Sequence, residues 1–503
     1  MKLRDLPGLT EFYVDWVEGV PGARALLSFQ SDRAALQEQA ADARIRFTPR
    51  AEIHRLLESQ AGELNAGELA CNNIQRLLLP ESVVVLSSLP AVLAGGPLAL
   101  LLKCLTTVKL AAELDNAGIP AIPLCWLDHD PKGATFPASV GLLDQEAQLR
   151  RFLLQPSAGA DGAEGGGRPI PEKIGDFVAA LESSLGIDLK DAAIQELIKT
   201  FTPGTPFSRA SARFMSAWIA GWGIVLLDPR SPDFRATAMR SLKHFGFSQE
   251  RAAFLCCRQE EELRRSGYCR PAADLARGHE KEPDKTEAPQ FDVAPGPLIQ
   301  LFLEAVLPVA AHVIDPEEIR DFALAAPLFK ELRIRSPLLW PRASATLLDA
   351  RSRKNMEKYG ITFESLLAGK SEVLRNLTRQ EPVQRVISRL DALSESIEKG
   401  LAEIKTSAGA RSDVDLLLSD TRSRTLYQLG KLKERFSAAT NTRREVIGRQ
   451  VERVFNSLLP DGGLQEMVVA GLHFALRNSS GFLPMLYERL DIQSFEHQLI
   501  SME

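Results

Sequence analysis

Three short stretches carry side chains whose types and spacing could support chemistry. The first is AVLAGGP at 91–97, where Gly95 and Gly96 lead into an apolar segment opening at Leu98. Glycine lets backbone approach a ligand closely, and the N–H groups that open a helix favour an anion. A phosphate or carboxylate could sit there, although a structural turn has the same sequence. The second stretch is Asp128-His129-Asp130. Two carboxylates flanking an imidazole could raise the histidine pKa, hold Mg²⁺ or orient an acid–base group, while a polar turn would need none of these roles. The other histidines, at 54, 244, 279, 312, 473 and 497, lack such local company. The third stretch runs from Trp340 to Thr346, where Arg342 is followed at two and four residues by the hydroxyls of Ser344 and Thr346. On an extended strand all three share a face and could clamp a phosphate or carboxylate; a half-exposed strand would alternate in the same way.

The elements that must position these groups are legible around them. The run 82–88 (SVVVLSS) is short, apolar and β-branched, as a strand buried on both faces should be. A helix is expected from Leu98 to about Ala117, with Pro97 suited to its start and Gly118 and Pro120 to its stop. AIPLCW at 121–126 then reads as a second strand. The alternation recurs: a helix near 208–222, a strand at 223–228, helices at about 232–245 and 248–267, a helix at 298–311, a strand at 312–315, a helix at 316–332 and an extended run at 337–348. This pattern predicts a doubly wound α/β core, and ligands of such sheets bind beyond the carboxyl ends of the strands. Two segments unsuited to packing, 156–171 and 276–297, read as linkers.

Further on, Val383, Val386, Leu390, Leu393, Ile397, Leu401 and Ile404 are spaced by three or four residues, the seam of a coiled coil. A turn near 407–412 precedes a second series, Val414, Leu417, Thr421, Leu426, Leu429, Leu432 and Phe436, so an antiparallel helical hairpin is expected, followed by a separate helix at about 444–459. The expected division is an α/β core over 1–378, a coiled-coil arm over 379–460 and a helical segment over 461–503 that packs back on the core.

Composition excludes several classes of function. The 503 residues are 45% hydrophobic, with 60 Lys+Arg against 65 Asp+Glu, which describes a globular chain with no basic footprint for nucleic acid. Charges interrupt the first apolar stretches, and no run approaches the ~20 residues of a membrane span, so a cytoplasmic protein without membrane contact is expected. The six cysteines form no CxxC pair; they are expected to be reduced and mostly packed, with no tightly bound metal.

The order of these landmarks resembles the cysteine ligases of bacillithiol biosynthesis, the BshC family. VVVLSSLPAVLAGGPLALLLKCLTTVKLAAEL is similar to that family's VVTGQQ-x-GL-x-GGPL-x-x-x-x-K region, and IPAIPLCWLDHD to its IPVxPVFW…EDHD block. The stretch from PLIQLFLEAVLPVAAHVIDPEE to PLLWPRASATLLD is similar to PxxQxxLxPTxAYxxGPGE…MPxVxPRxSxTxxE, and the coiled-coil arm and LQEMVVAGLHFALRN follow in the expected order. The resemblance implies a Rossmann-like core with connecting segments, a C-terminal α-helical coiled-coil domain and a homodimer formed through the helical part. It implies amide-bond formation between L-cysteine and glucosaminyl malate, with ATP or ADP and Mg²⁺ activating the cysteine carboxylate. It assigns catalysis to Asp128, His129, Asp130 and Arg342. To substrate or nucleotide binding it assigns Ser87, Ser88, Gly95, Gly96, Lys103, Glu317, Ser344 and Thr346. The chain departs from the pattern at Ser87-Ser88-Leu89-Pro90, where the family has TGQQ, and at Asp315-Pro316-Glu317-Glu318, where it has GPGE. A second reading follows from these losses: a paralogue with altered or absent catalysis, acting as a nucleotide-binding or scaffold protein.

Overall fold

The computed structural model describes residues 1–29, 31–46, 48–128, 139–154, 167–171, 174–185, 191–268, 296–379, 383–409, 412–478 and 481–502. His129 and Asp130 lie outside these residues, as do residues 156–166 of the first expected linker and 276–295 of the second. Among the described residues nine strands follow in chain order: β1 (Val83–Pro90), β2 (Ala121–Asp128), β3 (Ser139–Leu143), β4 (Leu149–Leu153), β5 (Val225–Leu227), β6 (Val309–Ile314), β7 (Leu339–Pro341), β8 (Ser344–Leu348) and β9 (His497–Ser501).

Five of them form one sheet in the order β5-β2-β1-β6-β7, with every neighbouring pair parallel. Numbered by first appearance these strands lie 3-2-1-4-5, the Rossmann order. Burial on both faces explains their unbroken apolar runs. Val83 and Val85 of β1 pack with Leu101 and Leu105 of the helix Leu98–Asn116, and Val84 and Leu86 pack on the other side with Leu303 of the helix Gly296–Val306. The second of these helices stops earlier than its apolar run predicts. Pro308 follows it and cannot donate to a continuing helix, so residues 309–311, expected as helix, open β6 instead.

The extended run 337–348 divides between two sheets. β7 closes the main sheet, while β8 pairs in parallel with β9 from the end of the chain. Arg342 stands at the corner between them. β3 and β4 form a separate antiparallel pair.

The chain divides into two compact units, one comprising Met1–Leu348 with Pro460–Glu503 and the other Asp349–Leu459. The helical unit thus begins at Asp349, ahead of the boundary near 380 suggested by the heptad seam. Asp349 caps its first helix by accepting from the N–H groups of Arg351 and Ser352. Its two longest helices are Val383–Ala408 and Ser412–Leu458. Ion pairs Lys405–Asp415, Glu398–Arg422 and Asp391–Lys433 join them, with partner numbers falling on one helix as they rise on the other, so the hairpin is antiparallel. The break expected before residue 444 does not occur. Its polar Thr and Asn residues lower helix propensity without the blocking effect of proline, and the helix runs unbroken for 47 residues, on the order of 70 Å. Among the described residues, no helix is long and apolar enough to cross a membrane.

Candidate active site at the switch point of the sheet

In a parallel sheet all carboxyl ends lie along one edge, and the crevice opens where successive connections depart in opposite directions. Here that point lies between β1 and β6. Ser88 arrives from the end of β1, Asp315 and Glu318 follow β6, Arg342 follows β7, and Lys103 reaches in from the helix Leu98–Asn116.

These residues form one chain of alternating charge. Lys103 Nζ donates to Ser88 Oγ at 2.7 Å and Glu318 Oε2 at 2.6 Å, and pairs with Asp315 Oδ2 at 2.9 Å. Ser88 in turn donates to Glu318 Oε1. The other Asp315 oxygen accepts from Arg342 Nε, and Arg342 Nη2 donates to Glu466 Oε1 at 3.0 Å. Glu466 also accepts from Ser344 Oγ at 2.8 Å and the Ala345 N–H at 2.7 Å. The resulting order is Glu318–Lys103–Asp315–Arg342–Glu466, two cations against three carboxylates.

Burial makes these pairings strong constraints, because an unpaired charge away from water is costly. Burial alone would lower the Lys103 ammonium and the Arg342 guanidinium, but the adjoining carboxylates outweigh it and hold both above their ordinary values. For Asp315 burial pulls upward, and the two cations overcome it and hold the carboxyl below the usual range. Tyr13 is buried within the field of Arg342, Asp315 and Glu466, and burial pushes its hydroxyl up.

Several sequence expectations require correction here. Arg342 and Ser344 are occupied by a carboxylate of the chain itself, Glu466. Ser344 and Thr346 also hold His497, whose Nδ1 lies 2.7 Å from Ser344 Oγ and whose Nε2 lies 2.8 Å from Thr346 Oγ1. Glu317 is exposed, and the residue beside it, Glu318, is the one that turns inward. Ser87 is buried in the sheet with its hydroxyl 3.1 Å from Cys125 Sγ, away from the crevice. The free thiols of Cys104 and Cys125 share a hydrogen bond in turn, which raises the Cys104 thiol and lowers that of Cys125. Of the described cysteines, Cys104 and Cys125 are buried, Cys256 is half-buried, and Cys71 and Cys257 are exposed.

The glycine loop is not an open anion cradle. Gly95 and Gly96 have φ of +78° and +66°, which glycine tolerates, and a Cβ on Gly95 would lie 2.5 Å from the Trp218 ring. The helix start is taken as well, because the Leu98 N–H donates to Val469 O and the Gly471 N–H to Gly96 O. The C-terminal segment thus occupies the place where a phosphate would approach. Asp128 ends β2 in register with Pro90, at the crevice edge and half-buried. Among the described residues, no group of three or more His, Cys, Asp and Glu side chains is placed to hold a metal ion.

Two family models match the chain. Residues 2–277 match the N-terminal Rossmann-like domain of the bacillithiol biosynthesis protein BshC, and residues 345–502 match its C-terminal coiled-coil domain. The chain belongs to the BshC family. Relatives named "Putative cysteine ligase BshC" align along nearly its whole length. The Koribacter versatilis protein is 25% identical over 94% of both chains. The Solibacter usitatus protein is 24% identical over 99% of both, and the Salinibacter ruber protein 23% identical over 99% of this chain and 94% of its own. Both BshC domains are therefore present.

Asp315, Glu318, Glu466, Tyr13 and His497 are the site residues that sequence reasoning missed. A signal existed for Glu318, because it takes the final position of the GPGE-like block, where Glu317 was chosen instead.

Proposed function

We propose that this BshC-family chain joins L-cysteine to glucosaminyl malate through an amide bond. The observation supporting the reading is convergence: polar residues from β1 and its following helix, from the loop after β6 and from the corner after β7 meet in one switch-point crevice. In this proposal the substrate amine nitrogen attacks the cysteine carboxyl carbon and gives up a proton to Asp128 at the crevice edge. The carbon–oxygen bond to one carboxyl oxygen must break, and ATP or ADP with Mg²⁺, if bound, would supply the phosphoryl or adenylyl group with which that oxygen departs as phosphate or AMP. The glycine loop does not fit that nucleotide, because Trp218 and Val469 cover it, and no residue is assigned to phosphate binding there. Lys103 and Arg342 hold the crevice together electrostatically.

The test is to incubate purified protein with glucosaminyl malate, cysteine and ATP·Mg²⁺ and to analyse the mixture by mass spectrometry. A cysteinyl product is expected, and Asp128→Asn should lower its rate at least tenfold, about 1.4 kcal/mol of transition-state stabilisation. Absence of product would overturn the ligase reading in favour of the scaffold alternative, which the saturation of both cations by internal carboxylates favours.

The same proposal includes a cytoplasmic homodimer formed through the helical unit. Leu417 and Leu432, expected in the hairpin seam, are 69% and 51% exposed, so that seam leaves apolar surface for a second copy. Leu417→Asp combined with Leu432→Asp should lower the sedimentation coefficient toward that of a monomer. An unchanged coefficient would exclude a dimer held by these residues.

A further inference from the structure

The five charged residues of the crevice are not equally committed. Glu466 is 1% exposed and is held by Arg342, Ser344 and the Ala345 N–H. Glu318 accepts from Lys103, Ser88 and the Asp315 N–H. Asp315 differs from both. Among the described residues its carboxylate accepts from Lys103 and Arg342 alone, one oxygen to each; it is 19% exposed, much as Glu318 is at 21%, and it alone bridges the two cations, which are 1% and 2% exposed.

We propose that Lys103 and Arg342 form a seat for a substrate carboxylate, and that Asp315 occupies it as an internal competitor until the substrate displaces it. The geometry suits the exchange. The seat offers one donor to each oxygen of a carboxylate, which any small carboxylic acid can match. Lys103 keeps Glu318, and Arg342 keeps Glu466, so neither cation is stripped when Asp315 leaves. A single-charged carboxylate replaces another, and the buried charge is therefore unchanged. Asp315 needs only a side-chain rotation toward water it already touches, and its backbone stays fixed by the Asp315 N–H bond to Glu318 and by the Arg342 N–H bond to Ile314 O.

The identity of the natural ligand as a malyl carboxylate rests on the ligase reading; the seat itself does not. In the resting protein Asp315 should keep affinity for small carboxylates low, and neutralising or removing it should release the seat.

The experiment is calorimetric titration of the full-length chain with L-malate. Asp315→Asn should bind malate at least tenfold more tightly than the unaltered protein, and adding Lys103→Met should abolish the gain. Affinity within threefold of the unaltered protein, in a variant with an unchanged circular dichroism spectrum, would overturn the proposal. Should Asp315→Asn fold poorly, Asp315→Gly provides the second test. Its melting midpoint should rise by several degrees in 20–50 mM acetate, roughly a hundredfold excess over a sub-millimolar site, while the unaltered protein stays put. No acetate rescue would also overturn the proposal. Neither readout requires turnover, so failure of the ligase assay and failure of the seat remain distinguishable.

Discussion

Arg342→Ala is expected to lower the unfolding free energy by about 3–5 kcal/mol, the usual consequence of removing one member of a buried, hydrogen-bonded ion pair. The guanidinium is 2% exposed and lies between Asp315 and Glu466. Without it Glu466, itself 1% exposed, keeps only Ser344 and a backbone N–H, and a carboxylate left this way bears most of its desolvation penalty. Urea titrations of Arg342→Ala and of Arg342→Ala with Glu466→Gln would measure the coupling. The second change removes the stranded charge and should recover at least about 1 kcal/mol, as expected when both partners of a buried pair are neutralised. A loss below about 1 kcal/mol in the single variant would place Arg342 among exposed ion pairs, which contribute little, and would contradict the geometry of the crevice.

This expectation differs from the one that alternation alone suggests. The spacing of Arg342, Ser344 and Thr346 predicts a shared face, because strand geometry places i, i+2 and i+4 together, and two of the three hold a carboxylate while Thr346 holds His497. It could not identify the carboxylate, which comes from more than a hundred residues further along. The same limit recurs across the site. β1, β2 and the helix between them were legible because burial on both faces, Pro97 and Gly118 leave local marks. Lys103 was legible through its place in a family-like block. Glu466 and His497 leave no such mark, because Glu466 meets its partners only where the short helix Gln465–Val468 docks on β8, with Gln465 bonded to Leu347, and His497 only through the pairing of β8 with β9. The glycine loop shows the converse error. Its sequence suits a ligand cradle and a buried turn equally, and the choice was made by Trp218 and Val469, neither adjacent to it in sequence.

His497 is the residue for which non-local pairing has the largest expected consequence outside the charged chain. Ser344 Oγ donates to Glu466, so it accepts from His497 Nδ1–H, and the other ring nitrogen accepts from Thr346 Oγ1. The imidazole is thereby fixed in one neutral tautomer. Burial lowers its pKa to about 4; nearby Arg342 and the N-terminal ammonium act in the same direction, and Glu466 opposes them. In the unfolded chain the pKa returns to about 6.5. Between these values the unfolded state takes up a proton that the folded state refuses, so stability is fully present above about pH 6.5 and falls as pH drops toward 4. The loss should be on the order of 2–3 kcal/mol between pH 6.5 and 4.5. In that window Arg342, held above its ordinary value, remains charged, and Asp315, held below the usual carboxylate range, remains ionised. Urea midpoints measured across the window for the unaltered protein and for His497→Gln should therefore converge on acidification, since the glutamine variant lacks this titration. Parallel pH profiles would mean that the imidazole is protonated in the folded state, and that the Ser344–His497–Thr346 bonds do not tie β9 to β8 as a neutral bridge.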